Sequence, residues 1–296
     1  MCFEHNCRLH YNLNVVIDFH THIFSPSICE CREELCRDDA CFRMLYSNAK
    51  AKLSTADELL ASMDDGGIKK AVIQNIGWVN NDLCIRSNDY ILEMAAKYPD
   101  RLISFCSCQP AEGDAALREI ERCAMSGARG IGELRPDIQG YELDDRECIR
   151  LLAKYAVTNN LIVSLHSSES VGHQYAGKGS VYPQVIYEFA RRNPDLIIVA
   201  AHLGGGLPFY EMMPEVSDCL KSVYYDTAAI PFLYKTDVYR ALIHMIGSRK
   251  ILFGSDWPLL PFSRALRQIE NAGLSTGDID NICRINAMKL LDMDEA

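Results

Sequence analysis

The sequence predicts a single-domain α/β protein over residues 1–296, folded as a (β/α)8 barrel of the TIM-barrel type. Three observations carry this expectation. Eight short apolar segments rich in β-branched residues recur along the chain, helical patterns separate them, and several segments end in a histidine or an acidic residue. With midpoints at Ile17, Val72, Ser104, Gly132, Val163, Ile198, Tyr224 and Leu252, neighbouring segments lie 26 to 35 residues apart, except for the first pair, which are 55 apart. A strand-helix period near 30 residues means parallel strands joined by helical crossovers, and eight such units close into a barrel.

The first strand is Val15-Val16-Ile17-Asp18-Phe19-His20-Thr21-His22, an apolar run of the kind buried on both faces. A polar, cysteine-rich insert with no single periodicity follows at about 23–54 and accounts for the long first gap. Thr55 then opens a helix that Gly66-Gly67 closes, and Ala71-Val72-Ile73-Gln74 is the second strand. A helix over 89–98 precedes the third strand, 102–106. One over 115–125 precedes the fourth, Gly130-Ile131-Gly132-Glu133-Leu134. Helix 144–158 leads to the fifth strand, 161–166, and helix 183–192 to the sixth, 196–202. A weaker helix over 209–220 precedes the seventh, 223–226, and helix 238–246 the eighth, 250–256. Two further helices, 261–272 and 278–291, complete the chain.

Composition narrows the function. A hydrophobic content of 48% with 24% charged residues is that of a globular domain able to bury a full core. The formal charge of -10 argues against nucleic acid or an anionic membrane as partner, because both select a basic face. No apolar run approaches the roughly 20 residues needed to span a bilayer, so a cytoplasmic location is expected. Thirteen cysteines, an odd number in a chain this long, fit a reducing compartment better than a disulfide framework. Cys29, Cys31, Cys36 and Cys41 of the insert lack the paired CxxC spacing of common zinc modules, so buried or loop thiols are the simpler reading and a separate metal knuckle the other.

The chemistry sits at the strand ends. Side chains alternate along a strand, so His20 and His22 point the same way and offer two parallel imidazoles. His166, His202 and Asp256 also end apolar runs, and Glu133 lies near the end of the fourth. In a barrel the carboxyl ends of the strands share one rim, which lets residues from most of the chain form one site. Imidazole nitrogens and carboxylate oxygens suit a divalent metal, Zn(II) first, with Mn(II) or Fe(II) as alternatives. A metal held there could polarise a water toward hydroxide, and Asp256 or His202 could handle the proton. Arg135, two residues past Glu133, could hold a substrate carboxylate in a bidentate pair. Trp257 and Trp78 either flank the pocket or pack the barrel, and the 167–182 loop, which follows a ligand strand directly, is placed to select substrate.

Asp18-Phe19-His20-Thr21-His22, the His166 that ends the fifth strand, Ala201-His202-Leu203-Gly204-Gly205 and Phe253-Gly254-Ser255-Asp256-Trp257-Pro258 together resemble the amidohydrolase superfamily. More closely, they resemble its amidohydrolase 2 branch, which includes the aminocarboxymuconate semialdehyde decarboxylases. The resemblance runs from about residue 15 to 291. It implies that His20, His22, His166 and Asp256 ligate a metal, with His202 as acid/base or as ligand to a second ion. Glu133 departs from the decarboxylase pattern and matches a ligand position of two-metal relatives; it either binds metal or pairs with Arg135. One or two ions are therefore expected. The leading expectation is a metal-dependent hydrolase of a small, carboxylated or cyclic substrate. The alternatives are a non-oxidative decarboxylase and, from another class, an inactive barrel whose cysteine-rich insert binds a metal or a partner. Beyond a small-molecule substrate, a homodimer is the only partnership expected.

Overall fold

The computed structural model describes residues 15–144 and 146–293. Eight strands, Val16–Thr21 (β1), Ile68–Ile73 (β2), Leu102–Cys106 (β3), Gly130–Leu134 (β4), Ile162–Leu165 (β5), Ile198–Ala200 (β6), Val223–Asp226 (β7) and Ile251–Leu252 (β8), pair in sequence order, every pair parallel. Strand β8 is short, and the chain just beyond it closes the barrel. The Phe19 N–H donates to the Phe253 carbonyl (2.7 Å), Asp256 N–H to His20 (2.9 Å) and His22 N–H to Trp257 (2.8 Å). These bonds seat the two ends of the sequence motif, His20-Thr21-His22 and Asp256-Trp257, side by side. Phe19 and Phe105, on strands that are not neighbours, meet edge to face at 5.8 Å. Ile17, Phe19, Val72, Phe105, Ile162, Val199 and Leu252 thus form the barrel interior, and Ala287 and Met288 of the last helix, with Leu291 that caps it, join them. A larger apolar layer lies between strands and helices.

Most helices follow the expected signals. Thr55 and Glu58 form a reciprocal capping box on helix Ala56–Gly66, and Gly67 ends it at φ 70°. Helix Asn81–Lys97 begins eight residues before the expected start at 89, because Asn80 accepts the N–H groups of Asp82 and Leu83 as a cap. The helix expected over 209–220 is instead a 3-10 turn, Leu207–Tyr210, followed by helix Pro214–Cys219. Pro208 and Pro214 each begin a new turn where the missing N–H would break a longer one.

The insert differs most from expectation. It holds three short helices, Pro26–Glu30, Arg32–Asp38 and Ala40–Tyr46, none long enough to show a period in the sequence. They enclose an apolar core of their own in which Phe42 stacks on Trp78 at 5.3 Å and Phe24 lies edge-on to Phe42, Tyr46 and Trp78. Asp39 joins this cap to the barrel: one carboxylate oxygen accepts the Phe42 N–H (2.9 Å), the other the N–H groups of Val79 (2.8 Å) and Asn80 (3.2 Å). Cys41 is buried, Cys29 and Cys36 are half-buried and Cys31 is exposed, all as free thiols. Among the described residues no cysteine belongs to a potential metal-ligand cluster. Truncating Phe42 to alanine should cost about 3–5 kcal/mol, the usual range for a buried aromatic. Chemical denaturation of Phe42→Ala showing a loss below about 1 kcal/mol would contradict this packing.

Candidate metal centre

All six acidic and histidine residues anticipated at the rim meet there. They fall into two groups, His20 with His22 and Asp256, and Glu133 with His166 and His202. Strand β1 delivers the first pair, and their Nε2 atoms lie 3.0 Å apart. Asp256 Oδ1 is 3.4 Å from His22 Nε2 and 3.8 Å from His20 Nε2. Glu133 Oε1 lies 2.9 Å from His166 Nδ1 and 3.4 Å from His202 Nε2, while its other oxygen is 4.0 Å from His20 Nε2. Glu133 therefore stands between the groups, and among the described residues its ion-pair partners are histidines, not Arg135, the other alternative the sequence left open. At Gly132, φ is +146°, and a Cβ would lie 2.6 Å from the Ser164 carbonyl oxygen, so only glycine allows the chain to present Glu133 this way. His202 and Asp256 both hold left-handed backbones, φ 56° and 65°, which cost non-glycine residues energy and concentrate at functional sites.

The outer nitrogens determine what the inner ones can offer. His20 Nδ1 donates to Asp226 Oδ2 (2.8 Å), His22 Nδ1 to the Gln74 carbonyl (3.0 Å) and His202 Nδ1 to the Ala228 carbonyl (2.9 Å). In the neutral ring, each of these Nε2 atoms is thereby left with an inward lone pair. Two lone pairs facing each other at 3.0 Å repel unless a proton or a cation lies between them. The donor set thus fits a divalent metal.

Without a cation, protons and carboxylates balance one another. Burial opposes charge on His20, but Asp226, together with Glu133 and Asp256, raises its pKa to about 10. Burial likewise works against His202, and Glu133 and Asp256 outweigh it to give about 9. Burial and the Arg135 charge push His166 down to about 4. Burial would raise the carboxyls, yet the imidazoles hold Glu133 well below the usual range and bring Asp256 to about 2.

Other expected residues are placed differently. Arg135 is fully buried beneath the loop after β5, where Nη2 donates to the Gly177 carbonyl (2.7 Å) and lies 3.5 Å from Asp137. Its Nε and Nη1 have no partner among the described residues, and a substrate carboxylate would reach them only if that loop moved. Trp257 stacks on Phe262 at 6.3 Å, and Trp78 belongs to the core of the insert. Sequence reasoning missed Asp226, whose only signal was an acid at a strand end. It also missed Tyr46, which the insert brings near the site: burial, and then the charge of Asp256, hold its phenol well above the usual range.

A family model described as amidohydrolase matches residues 17–293. Gamma-resorcylate decarboxylase of Polaromonas sp. (strain JS666) is 24% identical, with 81% of this chain and 88% of that protein covered. The same enzyme of Rhodococcus jostii (strain RHA1) is also 24% identical, with 72% and 77% covered. Among solved structures, 5-carboxyvanillate decarboxylase from Novosphingobium aromaticivorans, with bound manganese and 3-methoxy-4-hydroxy-5-nitrobenzoic acid, superposes with a TM-score of 0.77 at 19% identity, covering 95% of this chain and 97% of that one. Dihydroxybenzoic acid decarboxylase from Polaromonas sp. JS666, with manganese and 2-nitroresorcinol, gives 0.69 at 21% identity, covering 96% and 98%. With a barrel in this strand order, this rim of histidines and carboxylates, and a family match over nearly its whole length, the chain belongs to the amidohydrolase family of enzymes.

Proposed function

We propose that the chain is a metal-dependent, non-oxidative decarboxylase of small hydroxylated aromatic carboxylates. The observation that carries this reading is the six-residue cluster at the barrel mouth in a chain whose reported relatives are decarboxylases of such acids. The relatives favour this reaction over hydrolysis, the leading expectation from sequence. The inactive-barrel reading loses its support, because all six rim residues are in place within a family of enzymes.

His20, His22 and Asp256, with His166, would hold the ion. A divalent cation there would supply positive charge to orient the substrate carboxylate and the neighbouring hydroxyl oxygen. His202, charged near neutral pH, can pass the proton on Nε2 to the ring carbon that carries the carboxylate. The carbon–carbon bond then breaks, its electron pair returns to the ring and carbon dioxide leaves. Asp256, ionised, can accept the hydrogen of the substrate's hydroxyl and so enrich the ring for that protonation. Every one of these polar groups is buried or nearly so, which limits competition from water.

The position of Glu133 supports a second reading. A carboxylate between two three-residue groups is where a bridge between two ions would stand, and two ions favour hydrolysis with Asp256 as base.

Incubation of the metal-loaded protein with 2,6-dihydroxybenzoate in heavy water tests the decarboxylase reading. Decarboxylation predicts carbon dioxide and one deuteron on the product ring. No carbon dioxide from this acid or from other hydroxylated aromatic carboxylates, with release of acid from an ester or amide substrate instead, would favour hydrolysis. Glu133→Gln should leave one metal equivalent per chain if a single ion is bound, and loss of one of two equivalents by elemental analysis would favour the bridged centre. His202→Gln should lower kcat by about 10²- to 10⁴-fold with metal retained; an unchanged kcat would remove the proton from His202.

A further inference from the structure

Three of the four imidazoles at the rim are oriented by the barrel itself. The outer nitrogens of His20, His22 and His202 face Asp226, the Gln74 carbonyl and the Ala228 carbonyl, groups that only accept when Asp226 is ionised. His166 is the exception. It turns Nδ1 inward to Glu133, and its outer Nε2 lies 3.3 Å from the Ser168 hydroxyl, a group that can donate or accept. Its outer nitrogen, unlike those of the other three rings, thus meets no fixed acceptor.

The Ser168 hydroxyl is held in turn from the far end of the 167–182 loop. The Gly179 N–H donates to Ser168 Oγ (2.9 Å), and the Ser168 N–H donates to the Val181 carbonyl (3.0 Å). Gly179 packs directly on the buried pair beneath it. A Cβ there would meet Asp137 Oδ2 at 1.9 Å and Arg135 Nη2 at 2.8 Å. Arg135 Nη2 also donates to the Gly177 carbonyl (2.7 Å), and the Ser180 N–H to Asp137 Oδ2 (3.1 Å). A continuous set of contacts therefore runs from Arg135 and Asp137 through Gly179 and Ser168 to His166.

We propose that Ser168 is a positioning residue through which the 167–182 loop sets the ring orientation and tautomer of His166. With a carboxylate facing Nδ1, that nitrogen keeps its proton and the Ser168 hydroxyl donates to Nε2. With a cation at Nδ1, the proton belongs on Nε2, and Ser168 accepts it while keeping the Gly179 N–H on its other lone pair. The hydroxyl serves both states, which a backbone carbonyl could not. Arg135 and Asp137 act one step further out, as the footing of the loop. The cation arm of this proposal rests on the metal reading above; the ring arm does not.

The test measures the His166 ring and the metal separately. Nitrogen-15 imidazole spectra of metal-free protein, assigned with His166→Gln, should show His166 in the Nδ1–H form, and Ser168→Ala should shift or broaden those signals while His20, His22 and His202 stay in place. Competition with a chelator should show Ser168→Ala binding Mn(II) about 10- to 100-fold more weakly, the usual cost of losing an outer partner of a metal-binding histidine. Ser168→Thr should restore both readouts, and Asp137→Asn should weaken Mn(II) in the same direction by acting through the loop. If His166 signals and Mn(II) affinity in a folded Ser168→Ala protein match the wild type, the proposal is overturned. If no variant binds Mn(II) and neither does the wild type, the metal reading fails, and the ring spectra alone decide the role of Ser168.

Discussion

An ionised carboxylate buried among imidazoles can persist only while positive charge stays beside it, and the barrel mouth is organised around meeting that condition for Glu133. Its two oxygens face His166, His202 and His20 at 2.9, 3.4 and 4.0 Å, with Asp256 on the far side of His20 and His22. In the cation-free molecule, protons on His20 and His202 supply the charge. A divalent ion would supply it more compactly and would free the His20 proton, which is why metal binding at such a centre depends on pH. The outer hydrogen bonds to Asp226, Gln74 and Ala228 keep the rings aimed inward whichever cation is present.

The barrel was legible because its signals are local and repeat. Apolar strands at a 30-residue interval and capped helices such as the one opened by Thr55 can be read from spacing alone. The six rim residues were legible for the same reason, since each ends or nearly ends a strand. What could not be read depends on contacts between distant segments. The insert showed no period because its helices are only five to seven residues long, and they are held by a Phe42–Trp78 stack across 36 positions. Glu133 and Arg135, neighbours on one strand face by sequence, part company: Arg135 follows the strand and is drawn under the loop by Gly177 and Asp137, while Glu133 turns into the mouth. Ser168 could not be singled out, because a serine two residues past a histidine becomes relevant only once Gly179 is seen to return to it.

Two parts of the chain outside the barrel frame the site from above. The insert carries Tyr46 toward Asp256, and Leu45 lies 3.2 Å from where a Cβ on Gly177 would stand, so the insert helix and the loop after β5 come together over the mouth.

The rim residues are expected to hold a divalent cation in the native protein. Elemental analysis of protein purified without chelator, alongside His20→Ala, tests it most directly. At least one equivalent of a divalent transition metal per chain in the wild type, and its loss in the folded variant, is the expected result. Background metal in both proteins, or the same full equivalent in both, would contradict it.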